Sequence, residues 1–143
     1  MPANKLIYVS HSIRGKHGSA ATVETMAENN VKAFKFGTWL RTTFPLVKFY
    51  IPGEMDGFLV EQGVDPLKIV PGLLALDCGI IQASSGMIVF APDDYISSGM
   101  KHELEFIQTI SKPVFHWCPA LTLGQSEKYV AGQMAEWLED KCV

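Results

Sequence analysis

The chain is poor in the residues that mark several large classes of protein. It has only three cysteines among its 143 residues, Cys78, Cys118 and Cys142, and none stands in a CxxC or Cys/His pattern of metal ligands. This composition argues against a disulfide-dense scaffold and against a zinc-finger type of site. It indicates reduced thiols in an intracellular protein.

Charged residues and long apolar runs are also scarce. Charged residues make up 19% of the chain and the formal net charge is −3, so a broad basic face for a nucleic-acid polymer is not expected. No apolar run is long enough to cross a bilayer, and no charged segment followed by an apolar one opens the sequence. We therefore expect a cytoplasmic protein that does not associate with membranes.

The sequence instead alternates short apolar runs with amphipathic segments. This pattern predicts strands at residues 5–10, 46–51, 87–91 and 113–117, and helices at 22–42, 67–84, 100–110 and 125–139. Such alternation is typical of a doubly wound α/β fold of the flavodoxin or Rossmann type, a parallel sheet of four to five strands with helices on both faces. No repeat or linker divides the chain, so we expect a single domain over residues 1–143.

The spacing of apolar residues also predicts which helix faces turn inward. The residues placed on the inward face of the first long helix are Val23, Met26, Ala27, Phe34 and Leu40, and those on the inward face of the second are Ile69, Leu73, Leu76, Ile80 and Ile81. Aromatic residues near the end of the first helix exceed what one helix–strand unit needs, which is a hint of a subunit interface. They are Trp39, Phe44 and Phe49.

One polar segment, Ser97–Glu103, joins the third predicted strand to a helix. The first backbone N–H groups of a helix are unpaired and favour an anion, so this junction is a candidate anion site. Helical spacing puts Glu103 between Met100 and Ile107, on the apolar side of the helix. Because a carboxylate there is costly unless it is paired or lines a cavity, Glu103 is a candidate functional residue. The alternative is a boundary glutamate that reaches solvent.

A second polar loop, residues 11–18, follows the first predicted strand. Arg14 offers a planar donor fork suited to phosphate or carboxylate, and Gly15 lets the backbone approach a ligand closely. Ligands of open parallel sheets bind outside the carboxyl ends of the strands. The two polar loops should therefore converge at one edge of the sheet. Alone, the loop could equally be a solvated basic turn.

Two further acidic residues have both a functional and a structural interpretation. Asp77 interrupts an apolar stretch of the second helix and needs a partner there, which could be a ligand or a hydrogen bond in the core. Glu54 belongs to an irregular segment at residues 52–66. It could line a pocket wall and bond to a heterocycle, or it could lie on a plain surface excursion.

Two motifs carry a resemblance to a known family. Residues 8–15, Tyr-Val-Ser-His-Ser-Ile-Arg-Gly, and residues 97–103, Ser-Ser-Gly-Met-Lys-His-Glu, resemble motifs of the nucleoside 2-deoxyribosyltransferase superfamily. The chain is most similar to its branch of 2′-deoxynucleoside 5′-monophosphate N-glycosidases. This resemblance implies a homodimer that cleaves the N-glycosidic bond of a (deoxy)nucleoside 5′-monophosphate. The products would be free base and (deoxy)ribose 5-phosphate, and neither a metal nor a cofactor would be needed.

The resemblance also implies roles for particular residues. Glu103 would be the nucleophile at the anomeric carbon, and Asp77 would orient the sugar or assist proton transfer. The phosphate would be held by Ser12, Arg14, Gly15, Ser97 and Gly99. Contacts to base or sugar are assigned to Tyr8, His11, Asp94 and Glu54. The acidic pair Asp93-Asp94 departs from the pattern, because it brings negative charge close to the phosphate unless the pair faces the base.

Two other functions remain open at this level. A nucleoside deoxyribosyltransferase would use the same glutamate and pass the sugar to a second base. A non-catalytic nucleotide-binding or sensing module could also be built on this fold, because a fold does not fix a function. The sequence does not distinguish which base is bound, or ribose from deoxyribose.

Overall fold

The structure is a computed structural model, and it describes residues 5–54 and 72–140, with side chains described for 5–54 and 75–139. Four strands lie in this part of the chain: β1 (Lys5–Ser10), β2 (Val47–Tyr50), β3 (Gly86–Val89) and β4 (Val114–His116). The helices are α1 (Val23–Thr43), α2 (Gly72–Ala83), α3 (Ser98–Thr109) and α4 (Leu123–Asp140), with a 3-10 helix at Gly15–Ala20. That short helix occupies part of the segment predicted to be a loop.

All neighbouring strands pair in parallel, in the order β2-β1-β3-β4. Ile7 and Tyr8 of β1 have a partner on both sides: Tyr8 lies opposite Tyr50 of β2 and opposite Met87 of β3. Helices cover both faces of the sheet. The structure thus has the doubly wound α/β fold expected from the sequence, with four strands in the described part.

Alternate residues of the strands face two separate cores, as the pleat of a strand requires. Ile7 and Val9 point to the core shared with α1 and α4, where Leu40 and Met134 are fully buried. Tyr8 points to the opposite core, formed with α2 and α3. Two adjacent residues of β1 can thus serve different sides of the molecule.

The predicted inward face of α1 is confirmed only in part, since Met26 and Leu40 are buried. Val23 and Phe34 were expected to face inward, yet they are 38% and 54% exposed. Small residues of α1 face the sheet instead, and a Cβ on Gly37 would lie 2.0 Å from Cδ1 of Ile51. Because this contact lets the helix approach the sheet closely, it is Ala33 and Gly37, and not Phe34, that turn inward.

Two other predictions about apolar side chains were wrong. Leu76 of α2 is 57% exposed, while Ile81 of the same helix is fully buried as predicted. The aromatic residues taken as a hint of a subunit interface belong to the interior of the protein. Phe49 is buried, and Trp39 and Phe44 pack against the same core. Their number therefore carries no information about a dimer.

The chain changes direction across the sheet between β1 and β3. It runs from β1 to β2 on one side and then, through α2, to β3 on the other side of β1. The loops that follow β1 and β3 therefore leave the carboxyl edge side by side, which is where ligands of such sheets bind. Among the described helices, none combines the length and apolar character that a bilayer crossing requires.

Candidate functional site

A buried glutamate lies beside the carboxyl edge of β1. Glu103 is on the inward side of α3 with Met100 and Ile107, and it is only 5% exposed. The hydroxyl of Tyr8 donates a hydrogen bond to Oε2 of Glu103, and the hydroxyl of Ser10 donates one to Oε1 at 2.8 Å. Glu103 therefore faces inward as expected, and each of its two carboxylate oxygens accepts a hydrogen bond.

The geometry of β1 explains how two donors reach one carboxylate. Residues 8 and 10 of a strand point to the same face, about 7 Å apart along it. Tyr8 and Ser10 are 0% and 1% exposed, so these donors have little access to water. The pair therefore fixes both the position and the plane of the Glu103 carboxylate.

The surroundings of Glu103 change how readily it ionises. Burial raises the pKa of Glu103 to about 7, the hydrogen bonds from Tyr8 and Ser10 oppose the shift, and the charge of Asp77 adds to it. Burial, the charges of Glu103 and Asp77, and the hydrogen bond to Glu103 raise the pKa of Tyr8 strongly. The phenol therefore remains protonated and remains a donor, while the carboxyl can change its charge near neutral pH.

Asp77 places a second carboxyl group in the electrostatic neighbourhood of Glu103. It is 6% exposed on α2, and its charge acts on both Glu103 and Tyr8. Burial first, and then the charges of these two carboxylates, raise the pKa of the half-buried Cys78 thiol. Tyr50 stacks on Tyr8 with 5.7 Å between ring centroids. The two acidic residues singled out from the sequence thus share one side of the sheet.

The loops after β1 and β3 meet at Gly15 and Asp93, but neither Arg14 nor any residue of Ser97–Glu103 lines the cavity between them. Gly15 has a positive φ of 66°, and a Cβ there would lie 3.0 Å from Nδ2 of Asn29 and 3.5 Å from Oδ2 of Asp93. Between the loops is a cavity of about 20 Å³, and Ser12, Lys32 and Tyr95 also line it. A cavity of this size accommodates roughly one water molecule, so it does not hold a nucleotide as it stands.

The serines assigned to phosphate binding already have structural partners. Oγ of Ser12 accepts a hydrogen bond from the Gly15 N–H at 2.8 Å, and Oγ of Ser97 accepts one from the Met100 N–H at 3.2 Å. Ser97 is the N-cap of α3, and Gly99 lies in the first turn. Arg14 is half-buried immediately before the 3-10 helix. The phosphate-binding roles of these residues stay predictions.

The residues assigned to base or sugar lie in different places. Tyr8 contacts Glu103 directly. Nε2 of His11 instead accepts a hydrogen bond from the Gly53 N–H at 2.9 Å, and burial lowers the pKa of His11 to about 4. Asp94 is exposed, with a positive φ of 56°. Both oxygens of Glu54 accept hydrogen bonds from Arg41, at 2.6 and 2.7 Å. A ligand would have to compete with Arg41 for Glu54.

Sequence reasoning did not identify the second donor to Glu103. Ser10 is two residues from Tyr8 on a strand, so the strand period could have placed it on the same face once Tyr8 was assigned. Asp93, and not its neighbour Asp94, lines the cavity between the loops. No periodicity distinguishes two adjacent residues of a turn, so this difference was not predictable. The predicted segment at residues 55–66 lies outside the described residues.

Within residues 5–54 and 72–140, no three His, Cys, Asp or Glu side chains are grouped so that they could hold a metal ion. Comparison of the chain with protein-family models, with curated proteins and with solved structures finds no match.

Proposed function

We propose that the protein is a hydrolase that cleaves the N-glycosidic bond of a (deoxy)nucleoside 5′-monophosphate, with Glu103 as its nucleophile. One observation carries the proposal. A buried carboxylate with its pKa raised to about 7 is held by two hydroxyl donors beside the switch point of a parallel sheet. The resemblance of residues 8–15 and 97–103 to the nucleoside 2-deoxyribosyltransferase superfamily supplies the substrate class.

In the first step, an oxygen of the Glu103 carboxylate attacks the anomeric carbon of the sugar. The bond between that carbon and the base nitrogen breaks, and its electron pair stays on the base. The base takes up a proton that water supplies, with Asp77 assisting the transfer. Tyr8 and Ser10 hold the carboxylate, so that its orientation is set before the substrate binds.

In the second step, water attacks the same carbon and gives up one proton to the Asp77 carboxylate or to solvent, while the bond to Glu103 breaks and its electron pair returns to the Glu103 carboxylate. The sugar phosphate leaves and the carboxylate is restored. This two-step use of a carboxylate follows the logic of retaining glycosidases. The sugar bears positive charge in both transition states, and the anionic forms of Glu103 and Asp77 both favour it.

The 5′-phosphate would bind where the loops after β1 and β3 meet. The backbone N–H groups at the start of α3 and the guanidinium of Arg14 are its candidate donors. Asp93 lines the same place and disfavours a dianion, so the phosphate must lie on the side of the loops away from this carboxylate. Because the present cavity is only about 20 Å³, the loop from Pro92 to Ser97 must move outward when a nucleotide binds.

The test is release of free base, followed by chromatography, from a panel of ribo- and deoxyribonucleoside 5′-monophosphates. We expect at least one of them to be hydrolysed by the wild-type protein. The Glu103→Gln variant should lose about a thousandfold or more in rate, because it lacks the nucleophile. Glu105→Gln is the matched control, because Glu105 lies on the same helix but is exposed, and its rate should be unchanged.

Three results would contradict this proposal. The first is that the wild-type protein hydrolyses no nucleotide of the panel. The second is that Glu103→Gln retains full activity. The third is that a nucleotide raises the melting temperature of the protein without any release of base. The last result would indicate a binding module. Adding a second free base to the reaction separates the hydrolase from a transferase, because only a transferase forms a new nucleoside or nucleotide.

A further inference from the structure

We propose that Tyr50 is the stacking platform for the base of the nucleotide, and that the groove beside Tyr50 selects purine bases. The inference rests on the proposed function, because it assigns a subsite of the same reaction. It goes further in two respects. It names a residue that contacts the base, and it names the class of base that is bound.

Tyr50 lies on the same side of the sheet as the Glu103 carboxylate. It is the last residue of β2 and pairs in register with Tyr8 of β1, so the two side chains leave the same face of the sheet. Tyr8 donates its hydrogen bond to Glu103, and both tyrosines pack in the core formed with α2 and α3. On the side of β2, the ring of Tyr50 is therefore the neighbour of the residue that holds the nucleophile.

The two tyrosine rings form a stack with an inner and an outer member. Their centroids are 5.7 Å apart and their planes differ by 21°. The inner ring, that of Tyr8, is 0% exposed, whereas Tyr50 is half-buried. The stack therefore reaches the surface through Tyr50 and not through Tyr8.

The outer ring borders an open groove along β2, which is an edge strand of the described sheet. The groove has a volume of about 510 Å³, within the usual range for small-molecule sites. Leu6 and Lys48 line it from the same face as Tyr50. The cavity between the loops after β1 and β3 has room for only about one water molecule. Of these two spaces, only the groove has room for a base.

The position of the groove suits the leaving group of the reaction. A nucleobase is bonded directly to the anomeric carbon, so a base whose sugar lies against Glu103 is within about one ring width of that carboxylate. Tyr50 is one stacked ring away from Tyr8, which contacts Glu103. A base that extends from the sugar toward β2 therefore meets the ring of Tyr50 first.

Stacking on a phenol ring accounts for the selection of purines. Every base has a π-face, so stacking alone does not distinguish bases by their hydrogen-bonding groups. Its strength grows with the area of contact, and the two fused rings of a purine cover more of Tyr50 than the single ring of a pyrimidine. The loss of an aromatic partner weakens the binding of a base by roughly fivefold to 150-fold.

The experiment measures the binding of free bases to the full chain by calorimetry, together with base release from purine and pyrimidine 5′-monophosphates. Hypoxanthine and adenine should bind to the wild type at least about fivefold more tightly than cytosine. Tyr50→Leu should lose this advantage and raise KM for purine nucleotides more than it lowers kcat, because stacking is equal in the ground state and the transition state. Tyr50→Phe should retain both properties. Tyr129→Leu is the control, because Tyr129 is 49% exposed on α4.

A second measurement does not depend on how well a variant folds. Nuclear Overhauser contacts between the ring protons of bound hypoxanthine and those of Tyr50 should be present in the wild-type protein. Contacts of the base only with residues outside the groove would overturn the inference.

The results distinguish this inference from the proposed hydrolase. If purines bind and contact Tyr50 but no nucleotide releases its base, the base subsite is supported and the hydrolase is contradicted. If bases are released while purines and pyrimidines bind equally, or while Tyr50→Leu is unchanged, the hydrolase is supported and the base subsite is overturned. A wild-type protein that binds no free base also overturns the base subsite.

Discussion

Two buried polar clusters flank the end of β1, and they differ in what burial does to their charge. On the α2 and α3 side, burial raises the pKa of Glu103 to about 7, against the hydrogen bonds of Tyr8 and Ser10. On the α1 side, burial lowers the pKa of His11 to about 4. Both shifts disfavour the charged form, but only the first brings a group into the range where it can gain and lose a proton at neutral pH.

The clusters also differ in their hydrogen bonding. Glu103 has a donor on each oxygen. In the cluster of His11, Asn30 and Gly53, the Gly53 N–H bonds to His11, while the amide atoms of Asn30 have no hydrogen-bond partner among the described residues. The first cluster therefore fixes a carboxyl group that can change its charge near neutral pH. The second ties the end of β2 to β1 and α1 through close contact.

The largest expected effect on stability comes from the charge of Glu103. Its pKa is about 7 in the folded protein and about 4.5 when unfolded, so between these pH values the folded state binds more protons. Stability contributed by this group therefore falls as pH rises from about 4.5 to 7. Glu103→Gln should remove this loss, so its unfolding free energy relative to that of the wild type should be higher at pH 8 than at pH 5, by about 1–3 kcal/mol.

Urea unfolding at pH 5 and pH 8 measures this difference. Glu105→Gln should stay within about 0.5 kcal/mol of the wild type at both pH values, because Glu105 is exposed. If Glu103→Gln is destabilised equally at both pH values, the Glu103 carboxyl is not held in the buried, proton-binding state described.

Tyr8→Phe should have the next largest effect, on activity. The change removes a donor to the ionised carboxylate, so the pKa of Glu103 should rise and the alkaline plateau of kcat/KM should begin at higher pH. A rate loss of about tenfold to a hundredfold at pH 7 is expected for a hydrogen bond to a charged group. Tyr129→Phe is the control, because Tyr129 is 49% exposed. An unchanged pH midpoint would contradict the assigned role.

Gly53→Ala tests the second cluster. A Cβ there would lie 2.6 Å from Oδ1 of Asn30 and 2.7 Å from Cε1 of His11, so we expect a loss of about 1–3 kcal/mol in unfolding free energy. Gly79→Ala is the matched control, since nothing lies within 4 Å of a Cβ at that helical position. The control should be neutral or stabilising. Equal unfolding midpoints for the two variants would show that the contact is not tight.

Ser10→Ala should have the smallest effect, about 1 kcal/mol on the ionisation of Glu103, because Tyr8 remains as a donor. The midpoint of the pH–rate profile should move upward by less than in Tyr8→Phe. Ser10→Thr retains the hydroxyl and should restore the midpoint. If the pH–rate profile of Ser10→Ala is identical to that of the wild type, Ser10 does not influence the ionisation of Glu103.

The sequence contained enough to predict the sheet, its helices and the inward position of Glu103. Apolar strands and helical periodicity are local signals, and helix geometry alone places Glu103 on the side of Met100 and Ile107, although only the structure shows that it is buried there. The orientation of α1 was not predictable in this way. It depends on the close approach of Gly37 to Ile51, a residue outside the helix that the periodicity of α1 does not describe.

The partners of the polar side chains were the least predictable part. Glu54 and Arg41 are both suited to ligands, and only the tertiary structure shows that they bind each other. Ser12 and Ser97 likewise looked like phosphate ligands and serve as acceptors for nearby backbone N–H groups. A polar side chain can form hydrogen bonds of similar strength with many different partners. An apolar stripe on a helix, in contrast, is stable in one orientation, with the stripe facing the core.

The most direct measurement is the titration of the Glu103 carboxyl carbon by NMR in protein labelled with ¹³C at the glutamate carboxyls. We predict one resonance, absent in Glu103→Gln, that titrates with a midpoint at a pH of about 7, and whose midpoint rises in Tyr8→Phe. A spectrum in which every glutamate titrates below about pH 5, the range of unperturbed glutamates, would contradict the account of this site.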